Sequence, residues 1–180
     1  MNRDVDSLLE ALDTLWNNFN NCRALFPYMG EDAVGATSGS TGDYYKAQGL
    51  DISFVFNRGI TLAEIKKINQ IGHWINQNFV IRLCALLESY NILSETIKIE
   101  FSLHGAEHIN IVRRLRDCFA HSSGRFNPTN DKHLKTMKLM KEHLPILGTE
   151  YTDWPLPIDT VLKPLYDGCV NYAKQKMNRV

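Results

Sequence analysis

The sequence predicts an all-α protein: an antiparallel bundle of about five helices, with a long Gly/Ser-rich loop and one small β-ribbon. Three observations carry that reading. Apolar residues recur every three to four positions over long segments, the period of a helix with one buried face. Residues that start and stop helices bracket those segments. Strand-like alternation is confined to two short stretches, at residues 52–56 and 97–101. At 180 residues the chain has room for one good core, so a single domain over residues 1–180 is expected.

Taken in order, the first helix is expected from a cap at Asp6 or Ser7 to about Leu25. Its stripe is Leu8, Leu12, Leu15, Phe19 and Cys22, with Trp16 beside it and Pro27 closing it. From Gly30 to Gly49 the composition turns to Gly, Ser, Thr and Asp, which reads as a long mobile loop. Residues 35–42 lack the Gly-Lys-Ser/Thr end of a phosphate-binding loop and follow no strand, so a flexible insertion is the better reading. Ile52, Phe54 and Phe56 alternate with Ser53, Val55 and Asn57. Ile97, Ile99 and Phe101 alternate likewise, and the two stretches are expected to pair as the ribbon.

Thr61-Leu62-Ala63-Glu64 has the form of a capping box, a threonine with a glutamate three residues later. It opens the longest periodic segment, whose stripe runs through Leu62, Ile65, Ile68, Ile71, Ile75, Phe79, Leu83, Leu86, Tyr90 and Leu93. That is a helix of about 30 residues, roughly 45 Å long, with Gly72 as the place for a bend. So long an apolar seam suits the central rod of a bundle or a dimer interface. A second amphipathic helix follows and stops at Gly124. The turn at residues 127–131 then caps a helix through Leu144, with Leu134, Met137, Met140 and Leu144 apolar. Its lysines 132, 135, 138 and 141 form a solvated face or a guide for an RNA backbone. Trp154-Pro155-Leu156-Pro157 is an extended connector pinned by the indole. The final helix carries Ile158, Val161, Leu165, Cys169 and Tyr172, with Pro164 in its first turn or at a kink.

The formal net charge is zero, which argues against coating nucleic acid through bulk positive potential but leaves room for a local basic patch. Cysteines 22, 84, 118 and 169 are widely spaced, at least three of them on apolar stripes where cysteine behaves as a small hydrophobe. The first residues lack the apolar core of a signal peptide, and no apolar run approaches membrane-spanning length. A reduced, cytoplasmic location away from membranes is therefore expected.

Chemistry concentrates at residues 109–126. On a wheel of about 100° per residue, Ile111, Val112, Leu115, Cys118 and Phe119 share an arc of roughly 120°. The opposite arc holds Arg113, Arg114, Arg116, Asp117 and His121. Arg113, Asp117 and His121 form a column at i, i+4 and i+8. Arg116 and His121 lie roughly 140° apart on an ideal wheel and converge only if the last turn tightens. A guanidinium stays charged and grips two phosphate oxygens, and an imidazole is the side chain best able to move protons near neutral pH. The same pattern also suits a solvated helix face that ends in a histidine.

Arg116-Asp117-Cys118-Phe119-Ala120-His121 resembles the Arg-polar-x-x-x-His signature of HEPN domains, small helical proteins that include many metal-independent ribonucleases. The family allows four to six residues between Arg and His. Arg114 also fits that spacing, but only Arg116 is followed by a polar residue. The resemblance implies a toxin or anti-phage endoribonuclease with Arg116 and His121 as catalytic residues. It implies a site formed between two protomers, with a glutamate on the preceding helix, here Glu88, in support, although by its place at the margin of the stripe Glu88 reads rather as a solvent-facing acid. Asp117 is expected to orient His121 or accept from an arginine. Arg113 is expected to support the site. Arg114 and Arg125 are expected to contact RNA, Arg125 from just past Gly124. An antitoxin or other regulatory protein is an expected partner. The alternative is a non-catalytic HEPN-like module that binds a nucleotide, RNA or antitoxin; a third reading is a purely structural dimeric bundle.

No cofactor and no metal are expected. His104 and His108 stand at i, i+4 with Glu107 between them, but no third ligand is spaced nearby, and Gly105 suggests that His104 precedes the helix. Ser122 and Ser123 lack the glycine pattern of a serine nucleophile and are expected to help close the helix. His73, His133 and His143 have no evident partners in the sequence.

Overall fold

Capping side chains and left-handed residues set several of the helix boundaries. The computed structural model describes residues 3–94, 96–121, 124–146 and 153–179. Among them α1 spans Arg3–Leu25, α2 Asp43–Lys46, α3 Leu62–Ser89, α4 Ala106–His121, α5 Asp131–His143 and α6 Lys163–Met177. A π-helical turn at Ile158–Leu162 leads into α6, with Pro164 in its first turn. Strands β1 (Ser38–Ser40) and β2 (Ser53–Val55) pair antiparallel, with Gly39 opposite Phe54. The fold is thus all-α with a minor ribbon. Two compact units divide it: Trp16–Ile75, and the residues up to Leu15 together with those from Asn76 onward.

In the Trp16–Ile75 unit the capping box forms as the sequence requires. Glu64 accepts from the Thr61 backbone N–H at 2.9 Å and from its hydroxyl at 2.7 Å, while Thr61 Oγ1 accepts from the Glu64 N–H at 3.3 Å. The stretch from Gly30 to Gly49, expected as a long mobile loop, holds a 3-10 turn at Glu31–Ala33, then β1 and α2. Thr41 ties it down, its hydroxyl donating to the Leu50 carbonyl at 2.7 Å and accepting from the Ile52 N–H at 3.1 Å. Its strand β1 is the partner of β2, so the expected pairing of residues 52–56 with 97–101 is not made. The N–H groups of that second stretch are used elsewhere: Ile97 donates to Ser94 Oγ and Glu100 to the Tyr172 hydroxyl, both at 3.0 Å. Gly72 makes room for a buried cation, because a Cβ there would overlap the Arg23 guanidinium, which donates to the Phe26 carbonyl.

Other boundaries shift by small amounts. The first helix starts at Arg3, so Asp6 and Ser7 lie inside it, and Ser7 Oγ meets the Tyr90 hydroxyl at 2.9 Å. Helix α3 ends at Ser89 and the chain turns at Asn91, whose φ of 58° is left-handed. Its buried positions from residue 76 on are Asn76, Phe79, Val80, Leu83, Cys84 and Leu87, so Leu86 sits off the buried line. Ile71 of the expected stripe is exposed. Of the four cysteines, Cys84, Cys118 and Cys169 are buried and Cys22 is exposed. No helix among the described residues is long and apolar enough to cross a membrane.

The unit that contains α4 is assembled on that helix, which packs against both α5 and α6. Glycine at 105, with φ of 91°, and at 168 permits a close approach of α4 to α6. A Cβ on Gly105 would overlap the Gly168 carbonyl, and one on Gly168 would overlap the His108 imidazole. Trp154 is nearly fully buried and meets the rings of Phe119, Phe126 and His133 at 6.0, 5.1 and 5.2 Å. The indole thereby pins the connector, as expected.

Burial depresses the pKa of His108 below the ordinary 6.5, and the neighbouring His143 and His104 add to it against the opposing Glu107 and Asp167. Burial also lowers His133. Both histidines bind fewer protons folded than unfolded, so the stability they confer is present above about pH 6.5 and is lost as the pH falls below it through the lower folded pKa values. Urea midpoints should therefore drop between about pH 7.5 and about pH 5.5, and His108→Gln should shrink that drop.

Candidate functional site

The apolar face of α4 dictates where its charged face points. Ile109, Ile111, Val112 and Leu115 are fully buried, with Cys118 and Phe119 nearly so. At the C-terminal end, Gly124 takes φ of 74° and its carbonyl accepts from the Gln77 amide at 2.7 Å. Any side chain at 124 would collide with that amide. Ser122 and Ser123, expected to close the helix, lie outside the described residues. The next helix starts at Asn130, whose Oδ1 accepts from the backbone N–H groups of Lys132 and His133 at 2.9 and 3.4 Å.

Between these two helix ends lies a groove of about 600 Å³. Helix α4 lines it with Arg113, Arg114, Asp117, Cys118 and His121, and the start of α5 with Asn130, Asp131, Lys132, His133 and Thr136. Three cations thus face two carboxylates, and the exposed His121 stands among them. Arg114 Nε donates to Asn110 Oδ1 at 3.2 Å, one turn back on the same helix. The Cys118 thiol faces Thr136 Oγ1 at 3.9 Å, and burial raises its pKa, so it stays protonated and is no nucleophile.

His133 was not marked by the sequence as a groove residue. Its Nδ1 accepts the Asn127 backbone N–H at 3.0 Å, and its ring stacks in the aromatic cluster around Trp154. Burial lowers its pKa, which keeps it neutral and consistent with that accepted hydrogen bond. The signal was the turn before α5, where Asn127 Oδ1 accepts from both the N–H and the hydroxyl of Thr129. Such a turn folds Asn127 back over the first turn of α5, where His133 and Thr136 occupy buried positions and Leu134 is exposed.

The residues singled out by the sequence fall into two groups. Arg113, Arg114, Asp117 and His121 share the groove. Arg116 is not among the residues that line it. Arg116 Nη2 instead donates to Glu88 Oε1 at 2.6 Å, and its Nη1 lies 3.1 Å from Asp117 Oδ1. A hydrogen bond with Cys84, then the charges of Asp117 and Glu88, raise the Arg116 pKa, while burial pushes the Cys84 thiol up to about 11. Glu88 is thus paired with this arginine and is not a purely solvent-facing acid. Asp117 is the link, touching Arg116 on one side and the groove on the other. Arg125 is exposed and lies outside the groove lining.

His104 precedes α4, and Glu107 Oε2 lies 3.9 Å from His143 Nε2. Among the described residues no group of three or more His, Cys, Asp or Glu side chains is placed to hold a metal ion. No protein-family model, curated protein or solved structure matches the chain.

Because the Arg116–Glu88 bond is charge-assisted and partly buried, Arg116→Ala should cost about 1–3 kcal/mol of stability. His121→Ala, at an exposed position, should change it by less than about 0.5 kcal/mol. Urea denaturation of the two variants beside the wild type measures both.

Proposed function

We propose that this protein is a metal-independent endoribonuclease whose working surface is the groove between α4 and the start of α5. One observation supports the reading above others: His121 shares a single concave surface with Arg113, Arg114 and Lys132. Guanidinium and ammonium groups there bind backbone phosphates, and an imidazole among them moves protons near neutral pH. The HEPN-like signature that ends at His121 points the same way.

In the proposed reaction the 2′-oxygen of RNA forms a bond to the adjacent phosphorus as the bond to the 5′-oxygen breaks. A cyclic phosphate and a free 5′-hydroxyl result, and DNA, lacking the nucleophile, is spared. A base takes the proton of the 2′-hydroxyl and an acid supplies one to the leaving oxygen. His121 serves as one of these, and His121 of a second copy across a twofold axis serves as the other. Arg113 and Arg114 bear the negative charge that builds on the phosphoryl oxygens, a role the sequence had pointed to Arg116 for. Arg116, held by Glu88, acts as a positioning residue through Asp117. A toxin or anti-phage role, a neutralising protein partner and a cytoplasmic setting belong to the same proposal.

A second reading, a non-catalytic module that binds RNA, a nucleotide or an antitoxin, is favoured by the engagement of Arg116 with Glu88 outside the groove. Incubation of purified protein with RNA in EDTA separates the two. For the nuclease, cleavage survives chelation and leaves cyclic phosphate ends, and His121→Ala lowers the rate by about 100-fold or more. Arg114→Ala should weaken RNA binding and reduce its salt slope by about one. RNA binding with equal trace cleavage in the wild type and His121→Ala leaves the module. A chain that stays monomeric while it cleaves removes the composite site.

A further inference from the structure

The Trp16–Ile75 unit carries two adjoining cavities that have no part in the groove. They share Phe56 and Ile68. One, of about 370 Å³, has aromatic walls from Phe26, Tyr28, Phe54 and Phe56, and Asp32 is the one charged side chain in its lining. The other, of about 450 Å³, is lined by Arg58, Lys67 and Glu64. Both volumes fall in the range of small-ligand sites. Tyr28 is 78% exposed, so a large ring is held at the rim of the first cavity without being used in a core.

We propose that the paired cavities bind a nucleotide, its base against the aromatic walls and its phosphate beside Lys67 and Arg58. Aromatic side chains accept the flat face of any base, and Asp32 supplies an acceptor for an exocyclic amino group. The cations of the adjoining cavity answer the charge of the phosphate. Arg58 is paired with Glu64 at 2.8 Å, but that pair is exposed on both sides and therefore weak. Glu64 keeps its two hydrogen bonds from Thr61 when Arg58 turns to a phosphate, so the helix cap survives binding. The nucleotide is either free or one unit of a single-stranded RNA, two sources of the same chemistry. The inference does not rest on the nuclease reading, because no residue is common to the two sites.

Gly39 offers a clean block. It lines the aromatic cavity, lies in β1 opposite Phe54, and a Cβ there meets nothing within 4 Å. Gly39→Leu therefore adds bulk at the cavity lining without displacing backbone. The experiment is an amide NMR titration of the full chain with AMP, adenosine and a short oligoadenylate, into the several-millimolar range. Expected are saturable AMP shifts at Ala33, Gly39, Phe54 and Phe56, with affinity at least about tenfold weaker in Gly39→Leu. Lys67→Ala, on an exposed helix position, should weaken AMP and leave adenosine unchanged. Oligoadenylate tighter than AMP on the same amides identifies a strand-binding site; oligoadenylate no tighter than AMP identifies a free-nucleotide site. The proposal is overturned if those amides show no saturable shift, or if folded Gly39→Leu keeps wild-type affinity. Should Gly39→Leu not fold, Lys67→Ala decides: an unchanged preference for AMP over adenosine also overturns it.

Discussion

Helix α4 has to satisfy two neighbours at once, and the close approach at Gly105 and Gly168 is what lets it. With no Cβ on either residue, the start of α4 reaches the backbone of α6, and His108 fills the space above Gly168. The fully buried side chains of α4 then have only one rotation about the helix axis available to them. That rotation sends Arg113, Arg114, Asp117 and His121 toward α5, and Arg116 toward Glu88 on α3. The charged groove is in this sense a consequence of core packing.

The arginines of α4 carry the same charge and meet different fates. Arg113 and Arg114 line an open groove, with Arg114 Nε donating to Asn110 on the same helix. Arg116 has its guanidinium taken up by two carboxylates and a buried sulfur, and its Nε is buried without a hydrogen-bond partner among the described residues. A charge in that setting is costly to release, so it holds α3 and α4 together more readily than it binds a ligand. Asp117 touches both environments, which couples the tie to the groove.

The aromatic cluster around Trp154 does similar work on the other wall. It orients His133, whose neutral form is fixed by burial and by the hydrogen bond from Asn127. The groove thereby has packed aromatic rings beneath exposed, charged side chains.

Much of this was legible in the residues themselves. The capping box at Thr61, the left-handed stop at Gly124, the apolar face of α4 and the Asn130 start of α5 are local properties, written in spacing and conformational preference. The sequence also marked Arg113, Arg114, Asp117 and His121 as site residues, while Glu88 read as a support only through the family resemblance and otherwise as a solvent-facing acid. It could not tell which arginine faces the imidazole, since a helical wheel has no neighbours. Nor could it assign β2 to β1 instead of to residues 97–101, because alternation reveals a strand without naming its partner. The Gly-rich segment read as a loop because small residues lack a periodic signal, and Thr41 orders it only through contacts with Leu50 and Ile52. What the chain determined alone was the set of helices and their inward faces; what tertiary packing decided was which charges meet, because hydrogen-bond and ion-pair partners are chosen by distance in space.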